Sequence, residues 1–265
     1  MKIAALQMVS TPDLARNLAS ARRLIEQAAK AGAELIALPE YFCLMGQKDT
    51  DKLALAEDQG SGPIQFMLSA SARELGLWII GGTLPIRTPD PLRVRNSCCV
   101  FGPDGQLAAR YDKIHLFHYD NGRERYDEGR VLEAGTTPVV VEAAGLRVGL
   151  SICYDLRFPE LYRAMSPCDL LSVPAAFTHT TGQAHWELLL RARAVENQSY
   201  VIAAAQGGLH ENGRRTWGHS MIVDPWGEVL ASVAEGEGMA LAEFDPARLK
   251  QVREQLPALQ HRVLK

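Results

Sequence analysis

The chain has 265 residues, of which 47% are hydrophobic, and a formal net charge of -3. That composition suits a globular core, and the charge leaves no electrostatic footprint for nucleic acid or an anionic membrane. No apolar run approaches the roughly 18 residues of a membrane span, and five cysteines without a Cys-x-x-Cys pair point to free thiols in a reducing cytoplasm.

The first segment, Lys2 to Met8, reads as a strand that starts without the small-residue cleavage site of a signal peptide. Thr11-Pro12-Asp13 signals a helix start, with Thr11 as the cap and Pro12 in the first turn. Leu14, Leu18, Ala21, Leu24, Ile25 and Ala28 then recur at helical spacing until Gly32. A short apolar strand from Ala33 stops at Pro39 and presents Glu40, which completes a strand–helix–strand unit of α/β type.

A second helix is expected over Gly62 to Leu77, followed by a strand over Trp78 to Leu84. Asn96 to Phe101 and Gln106 to Lys113 form a hairpin about Gly102-Pro103-Asp104-Gly105, and Lys113 stands at its end. The polar loop from His118 to Gly135, 18 residues long, exceeds an ordinary connection and points to a functional loop. Pro138 to Glu142 and Leu146 to Ile152 pair as the next hairpin, which ends at Cys153.

Cys153 is followed by a polar, charged turn (Tyr154, Asp155, Arg157) and then by Phe158-Pro159, which suits a new helix. A strand that stops at a thiol and turns sharply into a helix holds that thiol out of the sheet. The backbone N–H groups after it then face whatever it attacks. A packed core cysteine fits the same apolar run, and Cys98, Cys99 and Cys168 read that way. Cys43, near Glu40, stays open between the two readings. Further strands are expected at Asp169 to Pro174, Val201 to Ala205, His219 to Val223, Glu228 to Val233 and Met239 to Phe244. Helices are expected at Ala184 to Tyr200 and Pro246 to Gln255, and a loop at Gly207 to Trp217. No low-complexity tract or linker interrupts the chain, so residues 1–265 read as one domain.

Three strand ends thus offer an acid, an amine and a thiol, the set a cysteine nucleophile needs: a base and an oxyanion partner. The segments LPEYF, YDKIHLF and GLSICYDLRFPELYR resemble, in this order, the three signatures of the nitrilase superfamily of carbon–nitrogen hydrolases. Helices alternating with hairpins suit sheets with helices outside; the resemblance implies two sheets, in a four-layer α-β-β-α sandwich. It implies that Glu40 is the general base, Lys113 the oxyanion stabiliser and Cys153 the nucleophile, with the Tyr154 amide as second donor. Thioester chemistry of this kind uses no metal or organic cofactor. The resemblance also implies a second glutamate after the lysine, best matched by Glu128. Here the chain departs from the pattern, with His118 directly after the HLF segment and with Glu124 and Asp127 close to Glu128.

Other readings of these residues are weaker. His115 and His118 lack a third ligand nearby for a metal site. Arg157 follows Cys153 with only three residues between, against the five of a cysteine phosphate cradle. No Gly-Lys-Ser/Thr ends the glycine-rich stretches as a phosphate loop would.

The segments Phe177-Thr178-His179-Thr180-Thr181-Gly182, AHWELLLRARAVENQSYVIAAAQ and GHSMIVDPWGEVLA are similar to the branch that holds deaminated glutathione amidase and the ω-amidases. This implies a small-molecule amide substrate bearing carboxylates. Tyr154, Arg157, Phe177, Thr178 and His179 are the substrate-binding candidates, with Arg214 and Arg215 as further cations. Loops 118–135 and 207–217 would form the mouth. The resemblance implies pairing, so a homodimer or higher homo-oligomer is expected, with Phe158, Leu161, Tyr162 and Leu256 to Leu264 either contributing or packing into the core. The competing classes are a catalytically silent scaffold and the amidohydrolase part of a synthetase; 265 residues leave no room for the latter's ATP-using domain.

Overall fold

The computed structural model describes residues 1–122 and 125–264. Glu124 lies outside the described residues. The two sheets of a sandwich are both present. The first runs, in spatial order, Gly238–Glu243, Lys2–Gln7, Ala33–Ala37, Trp78–Ile80 and Val94–Phe101. Leu84–Arg87 continues along the same side of Val94–Phe101, and Leu107–Asp112 pairs with that strand as well. The second sheet runs Val229–Val233, Ser220–Val223, Tyr200–Ala203, Leu170–Ser172, Leu146–Leu150 and Val139–Ala143.

Period-two patterning separates the two faces of the first sheet. Ile3, Ala5, Leu35, Ala37 and Ile80 join the core between the sheets. Ala4, Leu6, Ile36 and Ile79 face outward against Leu24, Ile25, Ala28, Ile64 and Leu68 of helices Leu14–Lys30 and Pro63–Leu75. Strands buried on both faces read as continuous apolar runs, as these do. Helices Pro159–Met165 and His179–Asn197 cover the second sheet through Leu161, Tyr162, Trp186, Leu190 and Ala194. The result is the α-β-β-α sandwich.

Several local features differ from the sequence pattern. The cap of the first helix is Asp13, whose carboxylate accepts from the Arg16 N–H at 3.0 Å; Thr11 accepts instead from the Asp13 N–H at 3.1 Å. The expected strand over 78–84 breaks at Gly81-Gly82. Gly82 has φ +56°, and a Cβ there would lie 2.3 Å from the Pro39 carbonyl oxygen. Only glycine lets this strand pass the turn that presents Glu40. The 118–135 stretch holds a small hairpin, His118–Asp120 with Arg125–Asp127, and a 3-10 turn at Glu128–Arg130. The 207–217 stretch is likewise a hairpin, Gly207–Leu209 with Arg215–Trp217.

Leu161 and Tyr162 pack into the core, so they are not available to a dimer interface. Leu256, Val263 and Leu264 are exposed. The five cysteines are free and buried, and Cys43 joins the core between the first sheet and its helices. Burial pushes the Cys43 thiol up to about 12, which marks it as inert.

Candidate active site

Glu40 and Lys113 leave strands of the first sheet, and Cys153 leaves a strand of the second. All three meet at one end of the sandwich. Glu40 is buried, as are its sequence neighbours Leu38 and Phe42. Its Oε1 accepts from Lys113 Nζ at 2.8 Å and from Asn96 Nδ2 at 2.9 Å, and its Oε2 from the Ala176 N–H at 3.0 Å. Its backbone carbonyl accepts from Gln206 Nε2 at 3.1 Å. The carboxylate therefore has one orientation.

Lys113 Nζ also donates to Glu128, at 3.0 Å to Oε1 and 2.8 Å to Oε2. Glu128 in turn accepts from the Tyr41 hydroxyl at 2.7 Å and from the Phe117 N–H at 2.7 Å. Two carboxylates thus share one ammonium, and the Lys113 side chain is 1% exposed. His118, in the position where an acid was expected, is exposed and sits 3.8 Å from Asp127.

Cys153 opens a 3-10 turn, Cys153–Arg157, with φ +49°. A non-glycine residue in the left-handed region costs about 1 kcal/mol or more and persists only where its surroundings enforce it. They do so here through Asp155, which is fully buried. Its Oδ2 accepts from the Ile152 N–H at 2.9 Å and the Tyr111 hydroxyl at 2.7 Å. Its Oδ1 accepts from the His115 N–H at 3.0 Å and meets His115 Nδ1 at 2.7 Å. One carboxylate therefore ties the residue before Cys153 to both sides of Lys113. Arg193, buried, adds two hydrogen bonds to the Leu156 carbonyl, at 3.0 and 2.8 Å.

The electrostatics follow from burial. Burial raises the Glu40 carboxyl above its ordinary range; Lys113 opposes this and Glu128 adds to it. Burial also acts to raise Glu128, but the Lys113 ammonium and its hydrogen bonds outweigh it and hold Glu128 low. Burial alone would lower Lys113, yet Glu128 and Glu40 hold it well above the usual lysine range. Burial, and then the Glu40 charge, push the Cys153 thiol well up. The site thus brings together a thiol, an ammonium and two carboxyl groups. The thiol and Glu40 lie within interaction range of each other.

A narrow cavity opens on these groups, with about 340 Å³ of empty space when the part open to solvent is included. Among the binding candidates, Tyr154, Arg157, Phe177 and Thr178 line it. His179 does not; it is the first residue of helix His179–Asn197, and its ring meets Trp217 edge-on at 5.0 Å. Arg214 lines the cavity, whereas Arg215 points out and pairs with Glu235 at 3.2 Å. His115 is bound to Asp155 and stacks on Phe158 at 3.7 Å. Among the described residues, no group of three or more His, Cys, Asp or Glu side chains could hold a metal ion. Asn96, Tyr41 and Asp155 hold this site together without standing out in the sequence as site residues. Tyr41 and Asp155 sit inside the signature segments, next to Glu40 and two past Cys153, and Asn96 has no local signal at all.

A sequence profile described as carbon-nitrogen hydrolase matches residues 2–254. The chain belongs to the carbon–nitrogen hydrolase family. It is a hydrolase of carbon–nitrogen bonds other than peptide bonds, of the nitrilase superfamily that its three segments resemble. It is 46% identical to a deaminated glutathione amidase of Synechocystis, over 98% of this chain and 97% of that protein. It is 42% identical to the chloroplastic omega-amidase of Arabidopsis thaliana, over 95% of this chain and 69% of the relative. The crystal structure of the C. elegans NitFhit protein matches with a TM-score of 0.89 and 40% identity; the match covers 99% of this hydrolase and 65% of that longer chain. No helix among the described residues is long and apolar enough to cross a membrane.

Proposed function

We propose that this hydrolase is a cysteine-dependent amidase acting on deaminated glutathione, with Glu40, Lys113, Cys153 and Glu128 as its working groups. The carrying observation is the buried Lys113 ammonium, held between Glu40 and Glu128 beside the Cys153 thiol.

Cys153 Sγ attacks the amide carbon as its proton passes to Glu40. The resulting oxyanion is held by Lys113 Nζ and the Tyr154 N–H. Glu40 returns the proton to the amide nitrogen, the C–N bond breaks, and Cys-Gly leaves. Water gives its proton to Glu40 and attacks the thioester. The acid departs and Cys153 takes the proton back. A carboxyl raised by burial suits both transfers, because it binds a proton more readily than an ordinary glutamate and can still release it. Glu128 orients Lys113. Tyr154, Arg157, Phe177 and Thr178 contact the substrate.

The 46% identity to a deaminated glutathione amidase supports this substrate, and the 42% identity to an omega-amidase supports 2-oxoglutaramate as the second reading. Release of Cys-Gly and of ammonia from deaminated glutathione, 2-oxoglutaramate, glutamine and a simple nitrile decides between them. We expect deaminated glutathione to be turned over fastest. Turnover of 2-oxoglutaramate alone would move the protein to the second reading; turnover of none would leave an untested amide or a silent scaffold, which a thioester trap on Cys153 separates.

The pH profile follows from the same charges. The acid limb of kcat/KM reports Glu40 and should lie above the ordinary glutamate range. Glu128→Gln removes a negative charge that raises Glu40, so this limb should move to lower pH. A limb that stays put or moves upward would count against Glu40 as the base.

The remaining proposals are a single domain over residues 1–265, a cytoplasmic location in keeping with the five free thiols, and a homodimer that uses the exposed C-terminal segment. A monomer in light scattering at micromolar concentration would remove the dimer.

A further inference from the structure

Two arginines border the site cavity, and they border different groups. Arg157 lies 5.4 Å over the Phe177 ring and 5.9 Å over the Tyr154 ring, on the wall formed by the nucleophile turn. Arg214 comes from the tip of hairpin 207–217 and lies 5.1 Å over the ring of Tyr126, in the other mouth hairpin. The two loops therefore meet through this contact. The Arg214 charge acts on Tyr41, whose hydroxyl is bonded to Glu128, and on Lys52, whose Nζ lies 5.0 Å over the Tyr41 ring. Arg214 thus stands on the wall that holds the acids.

Arg214 is half-buried. Among the described residues it has no carboxylate within ion-pair distance, whereas its neighbour Arg215 is paired with Glu235. The Lys113 charge is already balanced by Glu40 and Glu128, and its ammonium sits beside the reacting carbon, so it is not the partner for a remote substrate carboxylate. Among the described residues that line the cavity, Arg157 and Arg214 are the cations, and both carboxylates, Glu40 and Glu128, are bonded to Lys113. A guanidinium stacked on an aromatic ring, with no carboxylate paired to it among the described residues, is suited to take a carboxylate in bidentate fashion.

The leaving amine takes its proton from Glu40, so the acid wall is the side on which the amine half of the substrate lies. We infer that Arg214 is the subsite for a carboxylate on the leaving half, and that the preferred substrates are amides whose amine portion ends in a carboxylate. This rests on the amidase reading above and deepens it. A primary amide releases ammonia and has nothing to offer Arg214, so this one residue separates the two candidate substrates.

The test pairs a change in the enzyme with a change in the substrate. Wild type and Arg214→Gln are assayed on deaminated glutathione, on its analogue with a C-terminal glycinamide, and on 2-oxoglutaramate. A charge-assisted hydrogen bond predicts that wild type prefers the carboxylate over the glycinamide by about tenfold in kcat/KM, mostly through KM. Arg214→Gln should lose that preference, and its ratio of deaminated glutathione to 2-oxoglutaramate turnover should fall by a similar factor. Equal use of carboxylate and glycinamide by wild type would overturn the subsite, and that comparison needs no variant. So would a variant that keeps the full preference or that depresses all three substrates alike. If wild type cleaves 2-oxoglutaramate but neither peptide substrate, the proposed substrate itself falls and the subsite falls with it. That result is distinct from peptide cleavage without a carboxylate preference.

Discussion

Replacing Lys113 with methionine should cost about 3–5 kcal/mol of stability at neutral pH, together with essentially all activity, because it leaves buried charge without its partner. The Lys113 ammonium is bonded to both Glu40 and Glu128. Without it, burial and mutual repulsion raise both carboxyls in the folded protein. Groups raised in the folded state favour folding at low pH, and that contribution is lost as pH rises through their folded values. In the wild type, Glu128 is held low, so its contribution is present above the ordinary carboxylate range and is lost on acidification. The stability gap between variant and wild type should therefore be widest near neutrality and narrow toward acid. Urea unfolding at several pH values measures it. A Lys113→Met protein as stable as wild type at pH 7 would mean that the ammonium does not offset the two carboxylates.

Cys153→Ala should separate activity from stability. The nucleophile's loss should lower kcat by about 10⁴-fold or more, since the groups of such a site act as a unit. Alanine keeps the backbone's left-handed conformation at the same cost as cysteine, and Sγ borders the cavity, so stability should change by about 1 kcal/mol or less. The variant should still bind deaminated glutathione, and adding Glu40→Gln should lower kcat little further. Turnover of the Cys153→Ala protein within a hundredfold of wild type would remove Cys153 as the nucleophile.

Much of this arrangement could be read from the residues alone. Apolar runs ending at Glu40, Lys113 and Cys153 mark the three strand ends, and helical spacing marks residues 14–28. Those signals are local. The partners of Glu40 are not local: Asn96, Lys113 and Ala176 lie 56, 73 and 136 residues away. No pattern along the chain specifies such a pairing, and the number of sheets comes from the same long-range contacts. Residues 179–183 escape a helix reading because threonine and glycine are weak helix formers; Thr178 compensates as the cap, its hydroxyl accepting from the Thr181 N–H at 3.2 Å. Arg214 and Arg215 are indistinguishable as sequence. The hairpin turns one to the cavity and the other to Glu235.

The buried Asp155 carboxylate gives the reaction a dependence on how the two sheets are seated. The base and the amine ride on one sheet and the thiol on the other, and Asp155 is bolted to Tyr111, His115 and Ile152 across that seam. Turnover is then a gauge of sheet-to-sheet alignment, finer than any measure of strand content. Mild acid or warming that loosens side-chain interlocking while leaving the strands paired would silence the enzyme first. Far-ultraviolet circular dichroism would still report an intact fold at that point.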